Sequence, residues 1–315
     1  MNELVTITGG AGYLGAVLTQ RLLDAGYRVR IYDNLMYKQL SLLEHCHNKN
    51  FEFILGDVRD LTKLQKAVGD ADIVIPLAAI VGAPACDRDP KLTYDVNYMH
   101  IVAVKDATVR DQKIIYPCTN SGYGIGQSGI YCDENTPLNP ISLYGKTKVD
   151  AEKLLLDSGR AVTLRLATVF GISPRMRLDL LVNDFTYKAV ADGYLVLFEE
   201  HFKRNYIHIR DVAKTFLFAI DNYAAMVGKP HNVGLSSANI SKRELADKIK
   251  TYLPKLSIQS DTIGQDPDKR NYVVSNARIE GLGWYPDYTL DDGITELIKA
   301  YRIILNNSNS KFTNL

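Results

Sequence analysis

The chain has only four cysteines in 315 residues, Cys46, Cys86, Cys118 and Cys132, with no CxxC pair and no spacing that suggests a disulfide framework. Charge of one sign is also lacking. Lys and Arg total 37 against 36 Asp and Glu, a net charge of +1, so there is neither a basic field to draw nucleic acid nor an acidic solvating tail. No apolar run reaches the roughly 18 residues that a membrane span needs. "MNE" leads straight into a strand-like run and leaves no room for a signal peptide, so the cytoplasm is the expected compartment. Internal repeats and low-complexity linkers are absent too. "EHCH" (44–47) has the residue types of a metal site, but adjacent side chains diverge and no second ligand pair lies nearby. A solvated helix end is expected there, and no metal.

What is present is the composition of an ordinary soluble globular protein, 46% apolar and 23% charged. The length suits one large α/β domain or two smaller ones. Short β-branched runs alternate with longer helical patterns: "LVTIT" (4–8), "RVRIY" (28–32), "FEFIL" (51–55), "DIVIPL" (72–77), "KIIYP" (113–117) and "VTLRLA" (162–167). Near-continuous apolar strands with room for a crossover helix between them predict an α/β fold, a Rossmann-like doubly wound parallel sheet covered on both faces. The pattern then loosens. "DLLVNDFTYKAVADG" (179–193) reads as helix, "NYIHIRDVAKTFLFAIDNY" (205–223) as a strand start and a helix, and "NISKRELADKIKTYL" (239–253) opens with Ser241 and Glu244 in capping-box spacing. The expected organisation is a cofactor domain over 1–170, to which roughly 205–235 returns. A smaller C-terminal substrate-binding lobe takes 171–204 and 236–305, and a polar flexible tail takes 306–315.

"LVTITGGAGYLGAVLTQRLLDAGYRVRIYDN" runs from a strand through a glycine turn into an amphipathic helix and a second strand. The glycines permit a tight turn, close approach of backbone to a pyrophosphate, and a helix N-terminus facing the anion. Gly10, Gly12 and Gly15 satisfy GxGxxG, while Gly9, Gly12 and Gly15 satisfy GxxGxxG. Asp33 follows 18 residues after Gly15, where a carboxylate reads a ribose diol and repels a 2′-phosphate, which favours NAD over NADP. The plainer reading of "DN" is a turn. Tyr13, Leu14 and Asn34 flank these positions and are expected beside the cofactor.

Farther on, "SLYGKTK" sets Tyr144 and Lys148 four apart on one helical face. A lysine ammonium near a phenol favours phenolate and lowers its pKa from about 10, so that Tyr144 accepts an alcohol proton while a hydride leaves the same carbon. "YPCTNSGYGIG" (116–126) raises a separate question, because its alternating glycines suit a phosphate cradle, a lid, or a loop holding a catalytic hydroxyl.

Taken together, "TGGAGYLG", Asp33, "GDV" (56–58), "LAA" (77–79), Asn97, the "YG" at 123–124, Tyr144/Lys148 and "RNYIHIRD" (204–211) resemble the extended short-chain dehydrogenase/reductase family that works on nucleotide sugars. Within it, "PLAAIVGAP", "TNSGYGIG", "FGISPRMRLDLLVNDF" and "DPDKR" look like a group of bacterial GDP-heptose 4-dehydrogenases of capsule biosynthesis. The resemblance implies a Thr119–Tyr144–Lys148 triad, with Thr119 bonding the reacting sugar hydroxyl. It makes the glycine-bearing loop a catalytic-hydroxyl loop and not a second phosphate cradle. It also implies Asp57 and Val58 beside adenine, and Leu77, Ala78 and Ala79 along the cofactor. Arg204 and Arg270 would grip the nucleotide diphosphate, with surface ion pairing as the plain alternative; Arg175, Arg177 and Asn183 are further substrate contacts. The chain departs from many relatives in carrying Thr168 near a position that holds asparagine.

Hydride removal at C4 gives a 4-keto sugar, and relatives differ in the step that comes next. Asn120 and Ser121 stand where dehydratases place an Asp-Glu pair, and neither does acid-base work at neutral pH, which disfavours dehydration. A 4-epimerase needs only the triad and space for the sugar to turn. A 3,5-epimerase needs another acid-base pair, for which Cys118 and Cys132 are the candidates, although free cysteine more often packs as a small core residue. The expected order is a GDP-D-glycero-D-manno-heptose 4-dehydrogenase with tightly held NAD, reoxidised by a 2-keto acid such as 2-oxoglutarate, then a nucleotide-sugar 4-epimerase. A non-catalytic NAD(H)-sensing scaffold is the reading of another class, opposed by the complete triad. The resemblance further implies a homodimer pairing through the YxxxK helix.

Overall fold

The computed structural model describes residues 3–109, 111–127, 129–261 and 270–306. The tail expected over 306–315 lies, apart from Asn306, outside the described residues, as does all of "DPDKR" but Arg270.

The first half contains β1 (Leu4–Thr8), α1 (Tyr13–Asp24), β2 (Arg28–Asp33), β3 (Phe51–Leu55), α2 (Leu61–Val68) and β4 (Ile73–Pro76). There follow α3 (Ala83–Arg88), α4 (Pro90–Tyr94), α5 (His100–Ala107), β5 (Lys113–Thr119), β6 (Tyr131–Cys132), α6 (Leu143–Asp157) and β7 (Ala161–Leu166). The second half opens with β8 (Thr168–Phe170), α7 (Leu181–Ala191), β9 (Tyr194–Phe198), β10 (Lys203–His208), α8 (Ile209–Asp221), α9 (Tyr223–Met226) and β11 (Pro230–Val233). It closes with β12 (Asn239–Ser241), α10 (Lys242–Tyr252), β13 (Ser257–Asp261), β14 (Val273–Val274), α11 (Ala277–Glu280) and α12 (Leu290–Asn306).

Seven parallel strands form the main sheet in the order β11-β7-β5-β4-β1-β2-β3. β1, β4, β7 and β11 are buried along nearly their whole length, as a sheet covered on both faces requires. One face packs on α1 and α8 through Leu18, Leu22, Val212 and Phe216; the other packs on α2 and α5 through Leu64, Val68 and Val104. Strand order reverses between β1 and β4, and ligands in such folds bind outside the carboxyl ends of the strands at that reversal. The turns after Thr8 and Pro76 therefore flank the mouth of the site.

A second core gathers Val182 and Phe185 of α7, Leu195 and Leu197 of β9, Leu245 and Ile249 of α10, and Ile294 and Leu297 of α12. Short sheets β12-β10-β8, β13-β9 and β14-β6 accompany it. β10 joins β8 and β12, whereas α8 and β11, which come after it in the chain, pack on and extend the main sheet. The capping box forms as its spacing predicts. The Ser241 hydroxyl accepts from the Glu244 N–H at 3.1 Å and the Glu244 carboxylate from the Ser241 N–H at 2.7 Å.

At "EHCH" the expected solvated end holds for Glu44, Cys46 and His47, but His45 is buried, its ring edge-on to Phe51. Among the described residues no group of three His, Cys, Asp or Glu could hold a metal ion, and no helix is long and apolar enough to cross a membrane.

Candidate active site

A cleft of about 1090 Å³ opens along the carboxyl edge of the sheet and runs from the turn after β1 to the loop after β8. Its floor is the glycine turn. Gly9 has φ +71°, and a Cβ there would lie 2.6 Å from the backbone of Ala78. A Cβ on Gly15 would lie 2.5 Å from Gly10 Cα, so the turn closes against α1 only with glycine at both places. Gly9, Gly12, Tyr13, Leu14 and Gly15 line the cleft, while Gly10 packs beneath it against Ile31. No side chain caps the N-terminus of α1, whose open end faces the cleft at Gly12 and Tyr13.

Asp33 ends β2 with its carboxylate buried beneath the turn. Oδ2 accepts from the Ala11 N–H at 3.0 Å and Oδ1 from the Leu35 N–H at 2.8 Å, so one residue braces the glycine loop and makes the expected local turn. Burial raises its pKa, opposed by those two N–H bonds. Asn34 donates to Asp57 at 3.1 Å, and Arg59 forks the same carboxylate at 2.9 and 2.8 Å, which holds Asp57 well below the usual carboxylate range. Asp33, Asn34, Asp57, Val58, Leu77, Ala78 and Ala79 all line the cleft. A glycine cradle, an open helix end and an acid at the end of the second strand together suit a dinucleotide.

The other arm holds Thr119, Tyr144 and Lys148, which line the same cleft. Thr119 ends β5. Its Oγ1 accepts from the Ser121 N–H at 3.1 Å and its hydroxyl donates to Ser121 Oγ at 2.9 Å. Ser142 caps α6 by accepting from the Gly145 N–H at 3.1 Å, which places Tyr144 in the first turn and Lys148 one turn below. The Lys148 ammonium rests 4.1 Å over the ring of Tyr116.

The phenol of Tyr144 is shifted the opposite way from what the Tyr144/Lys148 spacing predicts. Burial pushes Tyr144 up to about 12, with Arg177 and Arg270 pulling against it, and it pushes Lys148 down to about 8. Desolvation penalises both charged forms and outweighs the neighbouring cations, so the resting phenol keeps its proton. Cys118 and Cys132 are buried thiols that burial drives up, which leaves them unfit as acid-base partners.

The loop at 116–126 is anchored from below. Glu152 on α6 and Arg165 on β7 form a buried ion pair at 2.8 Å, Arg165 donates to the Tyr123 hydroxyl at 3.1 Å, and Tyr123 donates to Asn232 at 2.7 Å. Gly124 has φ +67°, and a Cβ there would lie 2.1 Å from the Asn139 carbonyl oxygen. A loop fixed in this way presents Thr119 and Ser121 to the cleft.

Among the arginines, Arg204 is almost wholly buried on β10 and Arg270 donates to Ser121 Oγ, and both line the cleft. Arg175 stacks 4.5 Å over the ring of Tyr37, a residue that sequence reading passed over. Asn183 is placed differently. It is fully buried, accepts from the Gly171 N–H at 3.0 Å, and donates to the Tyr13 hydroxyl and the Arg177 carbonyl at 3.2 and 2.9 Å. Its amide ties the lobe to α1 and lies outside the cleft lining. The Arg177–Asp179 pair was also missed as a pair; the spacing Arg-x-Asp was the only available signal, and it is common in loops.

The family model described as "NAD dependent epimerase/dehydratase family" matches residues 5–234 of the chain. The Bacillus subtilis (strain 168) protein named uncharacterized UDP-glucose epimerase YtcB is 28% identical over 322 residues, which take in 93% of this chain and 96% of that one. UDP-glucuronic acid decarboxylase 1 of Arabidopsis thaliana is 26% identical over 322 residues, covering 98% of this chain and 72% of that protein. A solved structure of UDP-glucuronic acid 4-epimerase from Bacillus cereus, in complex with UDP-glucuronic acid and NAD, superposes with a TM-score of 0.86 at 24% identity. That superposition covers 96% of this chain and 99% of the other, and it shows the fold.

Proposed function

The chain belongs to the NAD dependent epimerase/dehydratase family, and from that premise we propose that it oxidises C4 of a nucleotide-activated sugar through Thr119, Tyr144 and Lys148. The observation that carries this reading is one continuous cleft lined both by the glycine turn and by all three of these side chains. Gly9, Gly12 and Gly15 would cradle the pyrophosphate of NAD, Asp33 a ribose diol, and Asp57 and Val58 the adenine. NAD bound there supplies the hydride acceptor.

Tyr144 must first release its own proton to solvent; as phenolate, its Oη then takes the proton of the sugar 4-hydroxyl, while the Thr119 hydroxyl, turned from Ser121, donates to the sugar oxygen and fixes it. Because burial holds the resting phenol near 12, phenolate must be favoured at the moment of reaction; Arg177 and Arg270 are the cations that lower it, and Lys148 lies one helical turn away. Arg204 and Arg270 hold the diphosphate. Asn120 and Ser121 supply no acid or base for elimination, so the 4-keto sugar keeps its 6-hydroxyl.

The substrate best supported by the sequence resemblance is GDP-D-glycero-D-manno-heptose, oxidised to its 4-keto form for capsule synthesis in the cytoplasm, with a 2-keto acid reoxidising the cofactor. Return of the hydride to the other face is the second reading, a 4-epimerase, which similarity to relatives named as UDP-glucose epimerases favours. A homodimer through α5 and α6 belongs to the same proposal; Tyr94 and Met99, exposed just ahead of α5, are apolar surface available to it.

Absorbance at 340 nm and mass spectrometry on NAD-loaded protein with GDP-heptose test the reading. Stoichiometric 4-keto product supports a dehydrogenase, and an isomer of unchanged mass supports the epimerase. Loss of water contradicts both, and absence of any turnover with a panel of nucleotide sugars supports the scaffold instead.

A further inference from the structure

The loop between β8 and α7 puts a charged pair into the cleft that holds Tyr144. Arg177 is directed inward, its side chain 17% exposed, and it forks the Asp179 carboxylate from Nε at 3.1 Å and from Nη2 at 2.5 Å. Asp179 lines the cleft with its side chain 65% exposed, so its carboxylate keeps accessible surface and its negative charge while it is paired with Arg177. Both residues line the cleft, and Arg177 stands close enough to Tyr144 to act on its titration. In the cleft that holds Tyr144 the protein therefore presents a guanidinium already paired with a carboxylate, whose oxygens can still accept hydroxyl protons.

Resting on the nucleotide-sugar reading above, we infer that the Arg177–Asp179 pair selects an uncharged, polyhydroxylated sugar and rejects a uronate. A sugar carboxylate entering here would meet Asp179 at short range and find the planar fork of Arg177 occupied, which is discrimination by an opposing charge. A sugar hydroxyl meets a carboxylate acceptor instead. The relatives include proteins named for glucuronic acid and proteins named for glucose, so a site that chooses between the two classes has something to choose.

The test measures binding by calorimetry, and turnover where it occurs, on the NAD-loaded full chain with two matched pairs: UDP-glucose against UDP-glucuronate, and GDP-mannose against GDP-mannuronate. The wild type is expected to prefer the neutral member of each pair. Asp179→Asn removes the opposing charge, leaves Arg177 a free partner, and should move the preference toward the uronate by roughly tenfold to a hundredfold, the scale of one charge-assisted hydrogen bond. Asp179→Glu should keep the wild-type preference. Arg177→Gln leaves Asp179 unopposed and should sharpen rejection of the uronate, so the two neutralising variants move in opposite directions and a merely weakened fold cannot imitate the result. A wild type that prefers uronates overturns the inference, as does a ratio unmoved by Asp179→Asn in protein that still binds NAD. If the wild type binds neither member of either pair the inference is overturned, and if it does not bind GDP-D-glycero-D-manno-heptose either, the nucleotide-sugar reading itself fails.

Discussion

Replacing Asp33 by asparagine removes one negative charge from the floor of the cofactor cleft with little change of shape. The carboxylate now takes N–H bonds from Ala11 at 3.0 Å and Leu35 at 2.8 Å. An amide keeps one acceptor and turns an NH₂ toward the other N–H, so one bond is lost at a cost of about 1–3 kcal/mol. A ribose hydroxyl held by the carboxylate contributes about 1.5–3 kcal/mol. A 2′-phosphate charge about 4 Å from Asp33 is repelled by about 4 kcal/mol at an effective dielectric of about 20. The wild type should thus bind NAD over NADP by at least about a hundredfold. In Asp33→Asn, NAD should weaken by roughly tenfold to a hundredfold while NADP changes far less. Titrations of both cofactors by intrinsic fluorescence or calorimetry read the ratio directly. Burial raises the Asp33 pKa, so discrimination should also fade earlier on acidification than an exposed carboxylate would allow. Equal dissociation constants in the wild type, or a ratio that Asp33→Asn leaves unchanged, would refute the assignment.

Tyr144→Phe should abolish C4 oxidation with cofactor binding retained, and Thr119→Val should slow it less, on the roughly 10²–10⁴-fold scale of general acid-base catalysis; steady-state rates check both. Glu152→Ala should destabilise the protein by about 3–5 kcal/mol in urea unfolding, because Arg165 is left buried and unpaired beneath the Tyr123 loop. Gly15→Ala forces a Cβ to within 2.5 Å of Gly10, so NAD binding should be lost and the melting temperature should drop. Burial holds both His100 and His231 down to about 4, against an ordinary value of 6.5. The unfolded chain then binds more protons between those values, so stability should fall as pH drops from about 6.5 to 4, by up to about 3 kcal/mol per histidine. Unfolding curves measured across that window should slope less in His231→Gln than in the wild type.

Periodicity and glycine placement made the sheet legible, because strands buried on both faces are written as unbroken apolar runs and the β1 turn tolerates no Cβ at Gly9 or Gly15. Tyr144 and Lys148 were legible because helix geometry alone places them one turn apart. Contacts distant along the chain were not. Nothing near Asn183 in sequence shows that Gly171 and Tyr13 consume its amide, since Tyr13 lies 170 residues away. The stacking of Arg175 on Tyr37 and the bond from Arg270 to Ser121 are hidden for the same reason. The direction of the Tyr144 shift was misread because a lysine one turn away is visible in sequence, whereas the burial that outweighs it is a property of the assembled cleft.

Oxidation at C4 by Tyr144 is tested most directly by a single turnover of NAD-loaded protein with GDP-D-glycero-D-manno-heptose in deuterated water, read at 340 nm and by mass spectrometry. The expected result is one equivalent of NADH and one of 4-keto heptose, with the 6-hydroxyl kept and no solvent deuterium on carbon, and neither product from Tyr144→Phe. A 2-keto acid added to the wild type should then sustain turnover and yield its 2-hydroxy acid. An isomer of unchanged mass without carbon-bound deuterium would replace the dehydrogenase by the 4-epimerase. Loss of water from the sugar, or wild-type turnover in Tyr144→Phe, would contradict the mechanism itself.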